Sequence, residues 1–182
     1  MIFELAIEIE LTMMSFEDIE FTIKIFHKNS LTVDAAYFLI KEYGLSHPNL
    51  GSIELRETAK PDFILLTTEG AFGKPHRLVI PDNLFEFSLV LVLNLLAHEM
   101  LHIKQKALET RVDDKNEREW QAYFEMLFRN LFPNIPEVSN HYKKSFAQKA
   151  FDYYNRMGEG SELQAKYAEQ KKQVEELIAS LG

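Results

Sequence analysis

Apolar and polar residues alternate near the start of the chain, with Phe3, Leu5, Ile7, Ile9 and Leu11 set against Glu4, Ala6, Glu8 and Glu10. Successive side chains of a strand point to opposite faces, so this period of two predicts a half-buried strand over 2–11. Residues 16–28 fit two templates. Ser15 and Asp18 have the spacing of a capping pair, and Phe16, Ile19, Ile23 and Phe26 share a helical face. Phe21, Ile23 and Ile25 also alternate with Glu20, Thr22 and Lys24, as in a strand. Residues 32–43 read as a helix closed by Gly44, because glycine takes the left-handed cap conformation without a steric penalty. Three short strands follow over 52–58, 62–68 and 77–80, separated by Pro61, Gly70, Gly73, Pro75 and Pro81.

The longest apolar run of the chain comes next, from Leu84 to Ala97 and on to Ile103. It predicts a helix capped by Asp82 or Asn83 and ending near Leu108. Further helices are expected over 116–131, stopped by Pro133, over 137–157, and over 161–180. The last is rich in Glu, Lys and Gln and keeps only a thin seam of Leu163, Tyr167, Val174, Leu177 and Leu181. Strands first and helices after is the α+β arrangement. Residues 1–157 are expected to form one domain. Residues 158–182, behind the hinge Gly158-Glu159-Gly160, form a polar helix appended to it and separable from it. Its seam docks on its own domain, or else meets a second copy or another protein.

Composition narrows the function classes. The chain has 182 residues, 46% of them hydrophobic, including 14 Phe, which is enough for a sizeable core. A net charge of −8, with Lys and Arg clustered only as the pairs Lys143-Lys144 and Lys171-Lys172, argues against binding to nucleic acid or an anionic membrane. No cysteine is present, so any zinc must be held by histidine and carboxylate. The acidic N-terminal stretch lacks the basic start of a secretory signal. The run Leu84–Ala97 is too short to span a bilayer. A cytoplasmic protein is expected.

The chemistry lies inside the apolar run, in His98-Glu99-Met100-Leu101-His102. Residues i and i+4 of a helix stack on one face, so both imidazoles can close on a single metal ion. Glu99 lies about 100° around the helix from His98, off the metal but near a metal-bound water, where a general base belongs. Burying two imidazoles and a carboxylate without partners costs several kcal/mol, which a metal and its water would offset. Glu99-x-x-His102 is also half of the di-iron bundle motif, but no second Glu-x-x-His occurs in the chain.

A catalytic zinc keeps three protein ligands and an open position. On the helix 116–131 the expected core stripe is Trp120, Tyr123, Phe124, Leu127 and Leu131, with Arg118, Ala122, Glu125 and Arg129 opposite, so that Glu125 is solvated. Glu119 and Glu117 border the stripe from its two sides. His98-Glu99-x-x-His102, followed on a second helix by Glu119-x-x-Ala122-Tyr123, resembles the gluzincin branch of the zincin metallopeptidases. The resemblance covers about residues 50–130. It implies a zincin-like fold, with a small, mostly antiparallel sheet packed on a long active-site helix and a helical C-terminal half.

The resemblance also implies a Zn2+ site of His98, His102 and Glu119. Glu117, Asp113, Asp114 and His141 remain alternative third ligands. Many gluzincins place an aspartate four residues after the ligand glutamate, to orient a ligand histidine. That position is Tyr123 here, whose phenol either accepts that hydrogen bond or faces the substrate oxyanion. The implied activity is hydrolysis of a peptide or protein substrate: zinc lowers the pKa of its water towards about 7, Glu99 takes the proton, and Glu99 later delivers it to the leaving amine. Tyr123, His141, Tyr142 and Arg156 are candidate oxyanion donors. His76–Ile80 is the expected substrate-binding sheet edge, with the Gly70–Pro75 loop shaping the cleft. Gln105 is placed to hydrogen-bond near the site, and Glu109 at a solvated helix end. The rival reading is a zincin-fold binding or structural protein without turnover, part of a larger assembly.

Overall fold

The structure, a computed structural model, describes residues 14–181, so the strand expected over 2–11 lies outside the described residues. The ambiguous segment is a helix, α1 (Phe16–Lys28). The Ser15 hydroxyl accepts the Asp18 amide at 3.1 Å and caps it. Ile19 and Ile23 are buried while Phe21 and Ile25 are exposed, so the alternating pattern belonged to its solvent side. Helix α2 (Thr32–Glu42) turns off at Gly44, whose φ is +65°.

Strands β1 (Leu50–Arg56), β2 (Thr67–Glu69) and β3 (His76–Pro81) form one sheet in the order β1-β3-β2. β3 runs parallel to β1, with Ile53 opposite Leu78, and antiparallel to β2, with Thr68 opposite Leu78. The sheet is therefore mixed rather than mostly antiparallel. The chain leaves β1 by the loop 57–66, turns back in the β2–β3 hairpin, and inserts β3 in the middle. This corrects the expected substrate edge: His76–Ile80 lies in the central strand, and β1 and β2 are the two edges.

A short 3-10 turn (Leu84–Glu86) precedes α3 (Leu89–Gln105). Asn83 does not cap the helix, because its amide is spent on the Ala59 N–H and carbonyl, at 2.8 and 3.1 Å. Helix α3 is buried nearly all round, as its apolar sequence requires. One side of it joins α1, α2 and the sheet in a core that includes Leu39, Leu78, Ile80, Leu93, Leu96 and Met100. Beyond its other side lie α4 (Lys115–Phe128), α5 (Asn140–Arg156), α6 (Glu162–Lys166) and α7 (Ala168–Ser180). They share a second core of Leu91, Trp120, Phe124, Phe146, Tyr154, Tyr167 and Val174. The expected helix over 161–180 is interrupted at Tyr167, and the seam of α6 and α7 faces this core. The architecture is α+β, with seven α-helices among the described residues. None of these helices is long and apolar enough to cross a membrane.

Candidate metal centre

His98 and His102 stand one turn apart on α3, with their Nε2 atoms 3.0 Å from each other. Helix α4 crosses α3, with the small Ala122 fully buried. That crossing brings Glu119 Oε2 to 3.6 Å from both Nε2 atoms. Two imidazoles and a carboxylate are thus gathered from two helices, a set that could hold a metal ion. The fit is metrical as well. Points equidistant from the three atoms start at about 2.0 Å from each, in their plane, so bonds of the length zinc makes to imidazole nitrogen and carboxylate oxygen can be met there or just above it.

Charge is concentrated here. Burial alone would raise the Glu119 carboxyl, but hydrogen bonds and charge from His102 and His98 outweigh it and hold the group well below the usual carboxylate range. Burial pushes the His102 imidazole down, while Glu119, Glu99 and Gln105 more than reverse this and leave it raised.

The other ring nitrogens are held by different partners. His102 Nδ1 lies 2.8 Å from Gln105 Oε1, and His98 Nδ1 lies 3.2 Å from Met126 Sδ. Tyr123 makes no hydrogen bond to either histidine. Its ring stands edge-on to His98, at 4.7 Å between centroids, and stacks on Tyr153 at 5.9 Å. Burial first, then the charges of Glu119, Tyr153 and Glu99, raise the Tyr123 phenol far above its ordinary value, so it stays a proton donor.

Glu99 is buried, and its backbone carbonyl accepts the Thr68 hydroxyl at 3.2 Å, tying α3 to the edge strand. Its carboxylate has no hydrogen-bond or ion-pair partner among the described residues. It lies between two clefts, both of which it lines together with His98 and Tyr123. One cleft, about 580 Å³, is apolar, walled by Phe87, Leu91, Leu95, Met126, Tyr142 and Phe146. The other, about 330 Å³, holds His102 and Glu119 together with Thr68, Lys106, Lys115, Arg118 and Tyr153.

The alternative ligands lie elsewhere. Glu117 points away, accepting Tyr167 Oη at 2.6 Å and Lys166 Nζ at 2.7 Å. Asp114 caps α4 through the Glu117 amide, and Asp113 pairs with Arg111. His141 is exposed at the outer wall of the apolar cleft, and Glu109 is exposed too. Arg156 covers the Tyr153 ring at 5.0 Å and lines neither cleft. Glu125 is not solvated as expected. It is buried and accepts the backbone N–H groups of Asn130, Leu131 and Phe132, because the chain folds back over it after the left-handed turn at Arg129. Sequence reasoning missed Tyr153, Lys106 and Thr68; only the apolar spacing of Phe146, Ala150 and Tyr154 on α5 hinted that the neighbouring Tyr153 would sit beside α4. No protein-family model, curated protein or solved structure matches this chain.

Proposed function

We propose that this protein is a zinc-dependent peptidase with a zincin-like arrangement, in which His98, His102 and Glu119 hold the metal. The observation that carries this reading is the convergence of His98 Nε2, His102 Nε2 and Glu119 Oε2 beside Glu99, which lines both clefts. Zinc bound there supplies Lewis acidity, lowering the pKa of its water towards about 7 and polarising a substrate carbonyl. Glu99 accepts the proton of the attacking water and returns it to the leaving amine. The Tyr123 hydroxyl, kept protonated, donates to the carbonyl oxygen as it gains charge. The outer edge of β2 offers main-chain groups to an extended peptide.

The two clefts suggest a substrate class. Lys106, Lys115 and Arg118 have no carboxylate within 4.0 Å among the described residues, although the chain carries a net charge of −8. A peptide with a large apolar side chain on one side of the scissile bond and an acidic one on the other complements both ends. Metal analysis tests the ligand set. The wild-type chain should bind one equivalent of zinc, and Glu119→Ala should lose it. Full zinc affinity in both Glu119→Ala and His98→Ala would refute the site.

A further inference from the structure

Arg118 stands on α4 one residue before Glu119 and lines the cleft that holds His102 and Glu119. Its guanidinium is anchored on two sides. Nη1 donates to the carbonyls of Val112 and Asp113, at 2.8 Å each. The guanidinium carbon lies over the ring of Phe72, 5.4 Å from the centroid, within cation–π range. Phe72 is at the tip of the β2–β3 hairpin, and the Gly73 N–H ties that tip to the Lys106 carbonyl at 2.8 Å. Arg111, also over the Phe72 ring at 4.7 Å, pairs with Asp113 at 2.6 Å and lines neither cleft.

The anchoring leaves part of the fork unused. A guanidinium holds five N–H donors in one plane, and Nη1 accounts for two of them. Those on Nε and Nη2 have no acceptor among the described residues. One N–H from each forms a parallel pair that fits the two oxygens of a carboxylate. The other two cations of the cleft lack such an edge. Lys115 is exposed in the first turn of α4, where its ammonium keeps its water and its chain keeps its rotamers. Lys106 turns its ammonium to the Thr68 carbonyl at 3.4 Å. Each is a point charge without a preferred plane.

We propose that Arg118 is the specificity-determining residue of this cleft, binding a peptide carboxylate through Nε and Nη2, and that Phe72 is the residue that positions it. The β2–β3 hairpin thereby sets the preference without touching the peptide. The carboxylate belongs to an acidic side chain or to the end of a peptide chain, since either presents the same two oxygens. This rests on the clefts being the substrate site, as proposed above. It goes beyond a general preference for negative charge, because the plane of one guanidinium selects the ligand and the summed field of three cations does not.

Peptide binding to Glu99→Gln in zinc buffer, measured by calorimetry so that nothing need be cleaved, tests it. The first pair of peptides is acetylated and amidated, and differs only in aspartate or asparagine after a phenylalanine. The aspartate peptide should bind about tenfold more tightly, the worth of one charge-assisted pair. The second pair has no acidic side chain and ends in a free carboxylate or in an amide, which shows the source of carboxylate that the fork takes. Added to this background, Arg118→Lys keeps the charge but loses the fork, and the preference should fall to about twofold, the worth of an exposed ion pair. Lys115→Met should keep most of the preference. Phe72→Leu should lower it severalfold while the asparagine peptide binds as before, which general damage to the fold would not do. If Arg118→Lys does not fold, Phe72→Leu carries the decision. No preference in either pair, an undiminished preference in folded Arg118→Lys, or an equal loss in Lys115→Met would overturn the proposal. An undiminished preference in Phe72→Leu would remove its positioning role. Wild type that binds these peptides with the stated preference yet cleaves none refutes the peptidase reading and leaves this one standing.

Discussion

Truncation after Met157 removes α6 and α7 and uncovers the face of α4 and α5 on which they pack. The residues that lose their cover are Trp120, fully buried, and Tyr154, only 7% exposed. Trp120 Nε1 donates to Gln170, and its ring lies 6.3 Å from that of Tyr167. The Tyr154 hydroxyl donates to the Gln164 carbonyl, and Lys171 covers the ring at 5.8 Å. Water can replace the lost hydrogen bonds, so the cost is mainly apolar. An aromatic side chain buries about 150–250 Å². If half of each ring opens, about 200 Å² becomes exposed, which at about 25 cal/mol per Å² destabilises the remaining chain by about 5 kcal/mol. The ordering entropy of the deleted helices is absent from both sides of this comparison. Typical domains have about 5–15 kcal/mol in total, so the truncated chain should be marginal, with a melting temperature lower by about 10–20 °C. Urea unfolding followed by circular dichroism measures it. A truncated protein whose stability matches the full chain would refute the reasoning and restore the separable helix that the sequence suggests.

Metal-free protein should respond to pH through two groups of the cluster. Glu119, held low, contributes stability above the ordinary carboxylate range that is lost as pH falls through its lowered folded value. His102, held high, contributes stability that is complete below 6.5 and lost as pH rises through its raised folded value. Metal-free melting temperatures should therefore decline above about pH 6.5, while the rise produced by zinc should grow over the same window, since zinc needs deprotonated rings. Zinc-induced shifts of equal size at pH 5.5 and pH 8 would contradict this. In the cationic cleft, Lys115→Glu should lower kcat/KM about five- to tenfold for peptides carrying an acidic residue, and raised salt should shrink the difference. An unchanged preference between acidic and neutral peptides would remove the cleft from substrate selection.

The centre of the site was legible because it follows from helix geometry alone. Four-residue spacing brings His98 and His102 together whatever surrounds them, and the small Ala122 marked where α4 could approach with Glu119. Gln105, one turn further on, was legible for the same reason. The failures lie where the answer depends on how the chain returns. Glu125 sits opposite the expected core stripe on a helical wheel, yet the turn at Arg129 folds residues 130–132 over it and supplies three N–H donors. Strand order depends on a crossover that no local pattern encodes, so His76–Ile80 reads as an edge in sequence although it is central. The α6–α7 seam looked thin because few of its residues are apolar. It also makes polar contacts that cannot be paired from spacing, in which Tyr167, Gln170 and Gln164 bind groups on α4 and α5.

Hydrolysis of a peptide library by zinc-loaded wild type and zinc-loaded Glu99→Gln tests the central claim most directly. The substitution keeps size and hydrogen-bonding capacity but removes the proton acceptor. The account predicts one zinc per chain in both proteins, cleavage by wild type, and a loss of several orders of magnitude in the variant, beyond the roughly 10²–10⁴-fold worth of a general base alone if the carboxylate also positions the water. Equal cleavage by the two proteins, or no cleavage by a wild type that carries its zinc, would contradict it.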